Sequence, residues 1–281
     1  MDEPDDVVSA PRTEADLEMR NICLQHDDIE RCYDLLVPVS ASGPSPLVID
    51  MHGWTSNSTT QKLISGFAGL ARAHGFIVAW PRGVGASFNA GRRCCPPAAV
   101  RDIDDVGFLR ALVADVSHDH DVDGNRIYST GLSNGCAMTQ RFAVEASDLV
   151  AAGSCMSLYL LVEAPADYSP VPLLEIHGTA DAVVPYRADG ADAFASLFGG
   201  ALPNLEKWSI LNDCVGDAVT SPGPEPGSTY TTYDDCKKGA TVSLLTVEGA
   251  GHITYIGIEA DIDTAAAAWA FMSGFSLDER S

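Results

Sequence analysis

Basic residues are scarce in this chain. Its 281 residues hold 17 Lys and Arg against 39 Asp and Glu, a formal charge of −22 at pH 7. A field of that sign repels phosphate backbones and anionic bilayers, so neither nucleic acid nor a membrane is expected as a partner. Long apolar runs are missing as well: no stretch approaches the roughly 18 consecutive apolar residues of a membrane-spanning helix. Met1 to Asp6 has neither a basic n-region nor an apolar h-region, so no signal peptide is read in this chain. Neither a C-x-x-C pair nor a paired Cys/His spacing occurs, which counts against a structural zinc site. Low-complexity linkers are lacking too, and the expectation is one domain over residues 20–281 behind an acidic, flexible tail over residues 1–19.

What is present is a globular balance, with 46% hydrophobic and 20% charged residues. The eight cysteines (23, 32, 94, 95, 136, 155, 214, 236) form an even set suited to disulfides, so the chain reads as the mature form of an exported protein. Asn21 to Pro38 reads as a hairpin centred on Asp27-Asp28, and Leu47 to Met51 as a short buried strand. Leu63, Phe67, Leu70 and Ala71 mark one helix face, followed by a strand from Phe76 to Trp80. After a long loop rich in Gly and Pro, Val106, Leu109, Val113 and Val116 form a second helical stripe. Asn125 to Thr130, Leu149 to Ser154, Val171 to Ile176 and Val242 to Val247 read as further strands. Ala137 to Ala146 reads as a helix, and Ile262, Ala265, Trp269 and Met272 as the face of a last one. Residues 215–235, rich in Pro, Gly, Ser and Thr, read as a surface excursion. Strand alternating with helix predicts an α/β fold: a mostly parallel, doubly wound sheet led by an antiparallel hairpin.

Gly131-Leu132-Ser133-Asn134-Gly135 lies between a strand and a helix, the context a nucleophile elbow requires. A serine on so sharp a turn needs neighbours without side chains, and the helix N-terminus beneath it favours developing negative charge. In an α/β-hydrolase the acid follows a later strand and the base follows the last. Asp181, in His177-Gly178-Thr179-Ala180-Asp181, and His252, in Glu248-Gly249-Ala250-Gly251-His252, fill those slots. Ser133, Asp181 and His252 are therefore the expected catalytic triad. The oxyanion hole needs two backbone N–H donors, for which Asn134 and Trp54 are expected, with Gly53 next. His52 and His177 each precede a glycine at a strand end, outside the base's slot, and are read as structural.

On these residues the chain resembles the esterase family of extracellular polyhydroxybutyrate depolymerase-like proteins and the related feruloyl and acetyl-xylan esterases. The resemblance rests on His52-Gly53-Trp54, Asp104-Asp105-Val106-Gly107-Phe108, Gly131 to Gly135, His177 to Asp181 through Val184-Pro185-Tyr186, Trp208 with Cys214 and Cys236, and Gly249 to His252. It runs from about residue 20 to 275. It implies an α/β-hydrolase fold, no metal or organic cofactor, and hydrolysis of carboxylic esters by the Ser133, Asp181, His252 triad. The chain departs from the family at Phe88-Asn89, where Trp-Asn is frequent, and at Ile253-Thr254-Tyr255, where Trp-Pro is. The rival readings are a serine peptidase on the same fold and a catalytically inert binding module.

Other clusters carry less. Asp119, Asp121, Asp123 and Gly124, beside His118 and His120, copy the opening of a calcium loop, but Thr130 stands where a bidentate Glu is needed, so no metal is expected. Asp102, Asp104 and Asp105 are read as helix capping, and Arg92 and Arg93 as a solvated pair. Cys23 and Cys32 fall directly opposite each other in a hairpin turning at Asp27-Asp28 and should pair, and Cys214–Cys236 should clamp the excursion. Cys94 and Cys95 are expected to cross-pair with Cys136 and Cys155. Little chain is left for a large lid, so the site should be a shallow cleft contacted by Trp54, Phe88, Leu158, Val184 and Tyr186. The expected partner is an ester substrate, polymeric chains included, on a monomeric, secreted enzyme.

Overall fold

The computed structural model describes residues 17–38, 43–91, 94–187, 199–252 and 262–280. Most of the expected tail, the Arg92 and Arg93 pair and Ile253 to Tyr255 lie outside the described residues. Strands β1 (Leu17–His26) and β2 (Ile29–Pro38) form the hairpin, and Asp27 and Asp28 turn it with φ of 49° and 58°. Two consecutive left-handed residues match the right-handed twist of paired strands, and Asp tolerates that conformation. The register sets Cys23 opposite Cys32, and the two are disulfide-bonded.

The sheet continues through β3 (Ser45–Met51), β4 (Ile77–Pro81), β5 (Val122–Leu132), β6 (Ala152–Met156), β7 (Leu173–Gly178), β8 (Val219–Pro222), β9 (Ser228–Tyr233) and β10 (Val242–Val247). Their spatial order is β1-β2-β4-β3-β5-β6-β7-β10-β9-β8. The pairs from β4 through β10 are parallel, and both flanks are antiparallel. Central strands such as Leu173–Gly178 are buried residue by residue, as helices on both faces demand. Side chains alternate between the two cores: Leu47 and Ile49 face α3 (Asp105–Asp119), α4 (Asn134–Glu145) and α5 (Ala201–Leu211), whereas Val48 faces α2 (Phe67–His74) and α6 (Thr264–Met272).

Three expectations are corrected. The helix through Leu63 and Phe67 is two helices, α1 (Ser58–Ile64) and α2, broken at Gly66 with φ of 73°. The break turns Leu63 out, and it is 74% exposed. The 215–235 excursion is not only a surface loop: its β8 and β9 extend the sheet, because β10 would otherwise offer an unpaired edge. Cys214–Cys236 closes it as expected. The cross-pairing is overturned: Cys94 bonds Cys95, and Cys136 bonds Cys155. Cys136 opens α4, which packs on β6, and this brings it to within 4.8 Å (Cα–Cα) of Cys155.

Candidate active site

The carboxyl ends of β3, β5, β7 and β10 share one edge of the sheet, and the loops leaving them carry the expected site. Ser133 follows β5 with φ 54° and ψ −117°, a conformation rare for a residue with a side chain. A Cβ on Gly135 would lie 2.1 Å from the Met51 carbonyl oxygen, and one on Gly131 would lie 2.5 Å from Gly135. The serine amide donates to the Met156 oxygen at 2.8 Å, while its carbonyl accepts from Cys136 and Ala137, so the turn is fixed on both sides.

The loop after β3 lies alongside. A Cβ on Gly53 would sit 3.6 Å from the Cβ of Ser133. His52 holds this loop: its Nε2 accepts the Gly83 amide at 3.0 Å, which leaves Nδ1 to donate to the Gly53 oxygen at 2.8 Å. Burial lowers the His52 pKa, in keeping with the neutral ring that this pattern requires. The Asn134 side chain braces the other flank, where Oδ1 accepts the Phe88 amide at 2.7 Å and Nδ2 donates to the Phe88 oxygen at 2.9 Å. Among the described residues, the backbone N–H groups of Trp54 and Asn134 have no protein acceptor.

Asp181 and His252 meet directly. Nδ1 of His252 lies 2.7 Å from Asp181 Oδ2, and Asp181 Oδ1 accepts the amides of Val183 and Val184, each at 2.8 Å. Burial raises the Asp181 pKa, but hydrogen bonds from His177 and His252 outweigh it and hold the carboxyl well below the usual range. A carboxylate only accepts, so His252 carries its proton on Nδ1 and keeps a lone pair on Nε2. The two loops touch because Gly178 has no side chain: a Cβ there would lie 2.3 Å from the Ala250 oxygen. Among the described residues no hydrogen bond joins the Ser133 hydroxyl to His252, a looseness common before a substrate tightens such a site.

Behind Asp181 lies a buried polar chain that sequence reasoning missed. His177, stacked on Tyr159, contacts Glu175 Oε1 through Nδ1 at 2.8 Å, and its Nε2 faces the Val184 oxygen at 2.9 Å and Asp181 Oδ2 at 3.3 Å. Asn204 of α5 donates to Glu175 Oε2 at 2.6 Å and to Gln140 Oε1 at 3.1 Å. A glutamate inside the otherwise apolar strand from Val171 to Ile176 was the one available signal. Asp105 was read as a capping group. Asp104 does cap α3, but Asp105 is buried, bonded to Arg31 at 2.5 Å and to the Asn89 amide at 2.6 Å. It ties down the loop that carries Phe88.

The residues expected to contact substrate differ in exposure. Trp54 is 50% exposed, with its Nε1 donating to the Pro96 oxygen at 2.7 Å. Phe88, Leu158, Val184 and Tyr186 are all buried, at 7% exposure or less. Asn134 clasps the Phe88 backbone, and the Phe88 ring packs on His52, 4.7 Å away between centroids.

A serine elbow, an acid and a histidine on the carboxyl edge of a parallel sheet define the α/β-hydrolase fold. The acetyl xylan esterase from Aspergillus awamori shares that fold, with a TM-score of 0.65 at 15% identity over 86% of this chain and 94% of that one. Residues 31–190 match the Esterase PHB depolymerase family, and the chain belongs to it. Feruloyl esterase B of Piromyces equi is 30% identical over 83% of this chain and 42% of its own length. A bifunctional acetylxylan esterase/xylanase of Neocallimastix patriciarum is 25% identical over 88% of this chain and 34% of its own length. The chain thus spans less than half the length of these two relatives.

Proposed function

We propose that the chain is a secreted serine carboxylic ester hydrolase acting through Ser133, His252 and Asp181. The 2.7 Å bond between His252 and Asp181, made by loops that leave β7 and β10 on the edge carrying Ser133, supports this most directly. Ser133 Oγ attacks the ester carbonyl, and its proton passes to Nε2 of His252. The oxyanion meets the amides of Trp54 and Asn134. Collapse expels the alcohol, which takes that proton, and leaves an acyl group on Ser133. Water then repeats the sequence and releases the acid. Asp181 stays ionised throughout and stabilises the imidazolium.

The names of the relatives favour short-acyl and feruloyl esters of wall polysaccharides, with the exposed Trp54 ring as a platform for the aromatic or sugar side. Hydroxyalkanoate polyesters are the next candidate class. Four disulfides favour an oxidising compartment. The working form is taken to be a monomer that needs no cofactor. A panel of p-nitrophenyl acetate, feruloyl and acetyl-xylan esters, hydroxybutyrate oligomers, long-chain triglycerides and peptide amides tests the reading. Turnover of short-acyl and feruloyl esters is expected, with a steep fall for long acyl chains and a decline in kcat/KM below roughly pH 6–7. Peptide cleavage outrunning ester cleavage would replace the esterase by a peptidase, and no turnover at all would leave an inert module.

A further inference from the structure

Resting on the triad reading above, we propose that His177 is a positioning residue of the same reaction: a buried imidazolium, clamped between Glu175 and Asp181, that orients the triad carboxylate and sets how strongly it draws a proton onto His252. Nε2 of His177 faces two acceptors, the Val184 carbonyl at 2.9 Å and Asp181 Oδ2 at 3.3 Å, so that nitrogen carries a hydrogen. Nδ1 faces Glu175 Oε1 at 2.8 Å, and the other Glu175 oxygen accepts from Asn204 at 2.6 Å. With Glu175 ionised, acceptors face both ring nitrogens, and the ring is a cation.

The surroundings agree. His177 is fully buried, and the groups packed on it are Glu175 of its own strand, Asp181, and the rings of Tyr159 (stacked, 5.4 Å) and Tyr186 (edge-on, 5.7 Å). Neither phenol supplies a charge: burial raises both tyrosines, and their hydroxyls bond the Pro185 oxygen and Thr246. Burial pulls the His177 pKa down, but hydrogen bonds to Asp181 and Glu175 reverse this and push it up to about 9. Burial raises the Glu175 pKa, and the contacts with His177 and Asn204 act against that rise. Asp181 Oδ2 is thus shared by two imidazoles, His252 at 2.7 Å and His177 at 3.3 Å. The first exchanges protons with the substrate. The second keeps its own, fixes the oxygen in place and withdraws part of its charge.

Removing the imidazole therefore has two consequences. Asp181 loses a contact that fixes Oδ2, and a freed carboxylate draws a proton onto His252 more strongly. In His177→Gln, kcat per active site should fall about 10- to 100-fold with KM changed far less. The midpoint of the acidic limb of kcat/KM should rise by about one pH unit. Active sites are counted by fluorophosphonate labelling, so that loss of folded protein is separated from loss of rate. A residue serving structure alone would lower the labelled fraction and leave the limb where it was; that outcome overturns the proposal.

A measurement on the unaltered protein covers the case in which the variant fails to fold. In the ¹⁵N-labelled protein at pH 8, His177 should give two exchange-protected ring N–H signals, one of them lost as the pH rises through about 9. A single ring N–H for His177 at pH 8 would mean a neutral imidazole and would also overturn the proposal. If the unaltered protein is labelled at Ser133 and either result fails, only the role of His177 falls. If it is not labelled, the triad reading falls and takes this inference with it.

Discussion

Around Ser133 the chain is held by close backbone packing and neutral hydrogen bonds, whereas around Asp181 and His252 it is held by buried charge. Gly131 and Gly135 let α4 press against the end of β3, Asn134 clasps Phe88 with its amide, and Cys136–Cys155 ties the helix to β6. On the other flank, Glu175, His177 and Asp181 form a buried line of titratable groups behind His252, of alternating charge in the proposal above. The difference follows from what each half must do. A nucleophile needs only to be aimed, and packing aims it. A proton acceptor must be aimed and also have its affinity for the proton set, and only fixed charge does both. The first half should therefore be sensitive to volume, and the second to charge and pH.

The largest effects should come from the reacting groups themselves. Ser133→Ala and His252→Ala are each expected to lower kcat by on the order of 10⁴- to 10⁶-fold, with thermal unfolding unchanged in Ser133→Ala and lowered modestly in His252→Ala, which loses the bond to Asp181. Asp181→Asn keeps the shape of the acid but not its charge, and should cost on the order of 10³- to 10⁴-fold. Hydrolysis of p-nitrophenyl acetate beside calorimetric melts checks all three variants. Near-full activity in Asp181→Asn would move the acid elsewhere and dissolve the contrast between the halves.

Gly135→Ala tests the packing half. The added Cβ would meet the Met51 oxygen at 2.1 Å, so α4 must shift, at a cost of about 2–4 kcal/mol in urea unfolding and with little dependence on pH. The charged half should behave in the opposite way. His177 has a pKa raised to about 9 in the folded protein, so its contribution to stability is complete below the unfolded value of about 6.5 and fades as pH rises through 9. Asp181 is depressed, so its contribution holds above the unfolded value and fades as pH falls. Urea midpoints across pH should decline on both sides of this window in the unaltered protein, and His177→Gln should flatten the alkaline decline. The smallest effect is expected at Trp54→Ala, outside both halves. Its exposed ring bears on substrate rather than fold, so KM for feruloyl esters should rise about 3- to 10-fold, and KM for p-nitrophenyl acetate hardly at all.

The same contrast explains what was legible in the sequence. Ser133, Asp181 and His252 stood out as candidates because each lies just after a strand, in a glycine-bearing loop, in a fixed chain order. Asp27-Asp28 gave the hairpin register and with it Cys23–Cys32. Glu175, Asn204 and Gln140 could not be found, because they come from β7, α5 and α4 and meet only in space. Partner choice among Cys94, Cys95, Cys136 and Cys155 failed for a related reason: it depends on how α4 packs on β6, a distance that no local pattern encodes. The burial of Phe88 against His52 was not legible, because a hydrophobic residue near a site reads the same whether it is exposed there or packed beneath it. The antiparallel flank of β8 and β9 was hidden by its Pro- and Gly-rich composition, which reads as loop.

The account rests on a covalent intermediate at Ser133, and trapping that intermediate tests it most directly. The protein is mixed with p-nitrophenyl acetate, quenched in acid within the first turnover, digested and analysed by mass spectrometry. One acetyl group per active site on the peptide bearing Ser133, absent in Ser133→Ala and formed far more slowly in His252→Ala, is the predicted result. Rapid release of p-nitrophenol with no acetylated Ser133, or with the acetyl group on another residue, would contradict it.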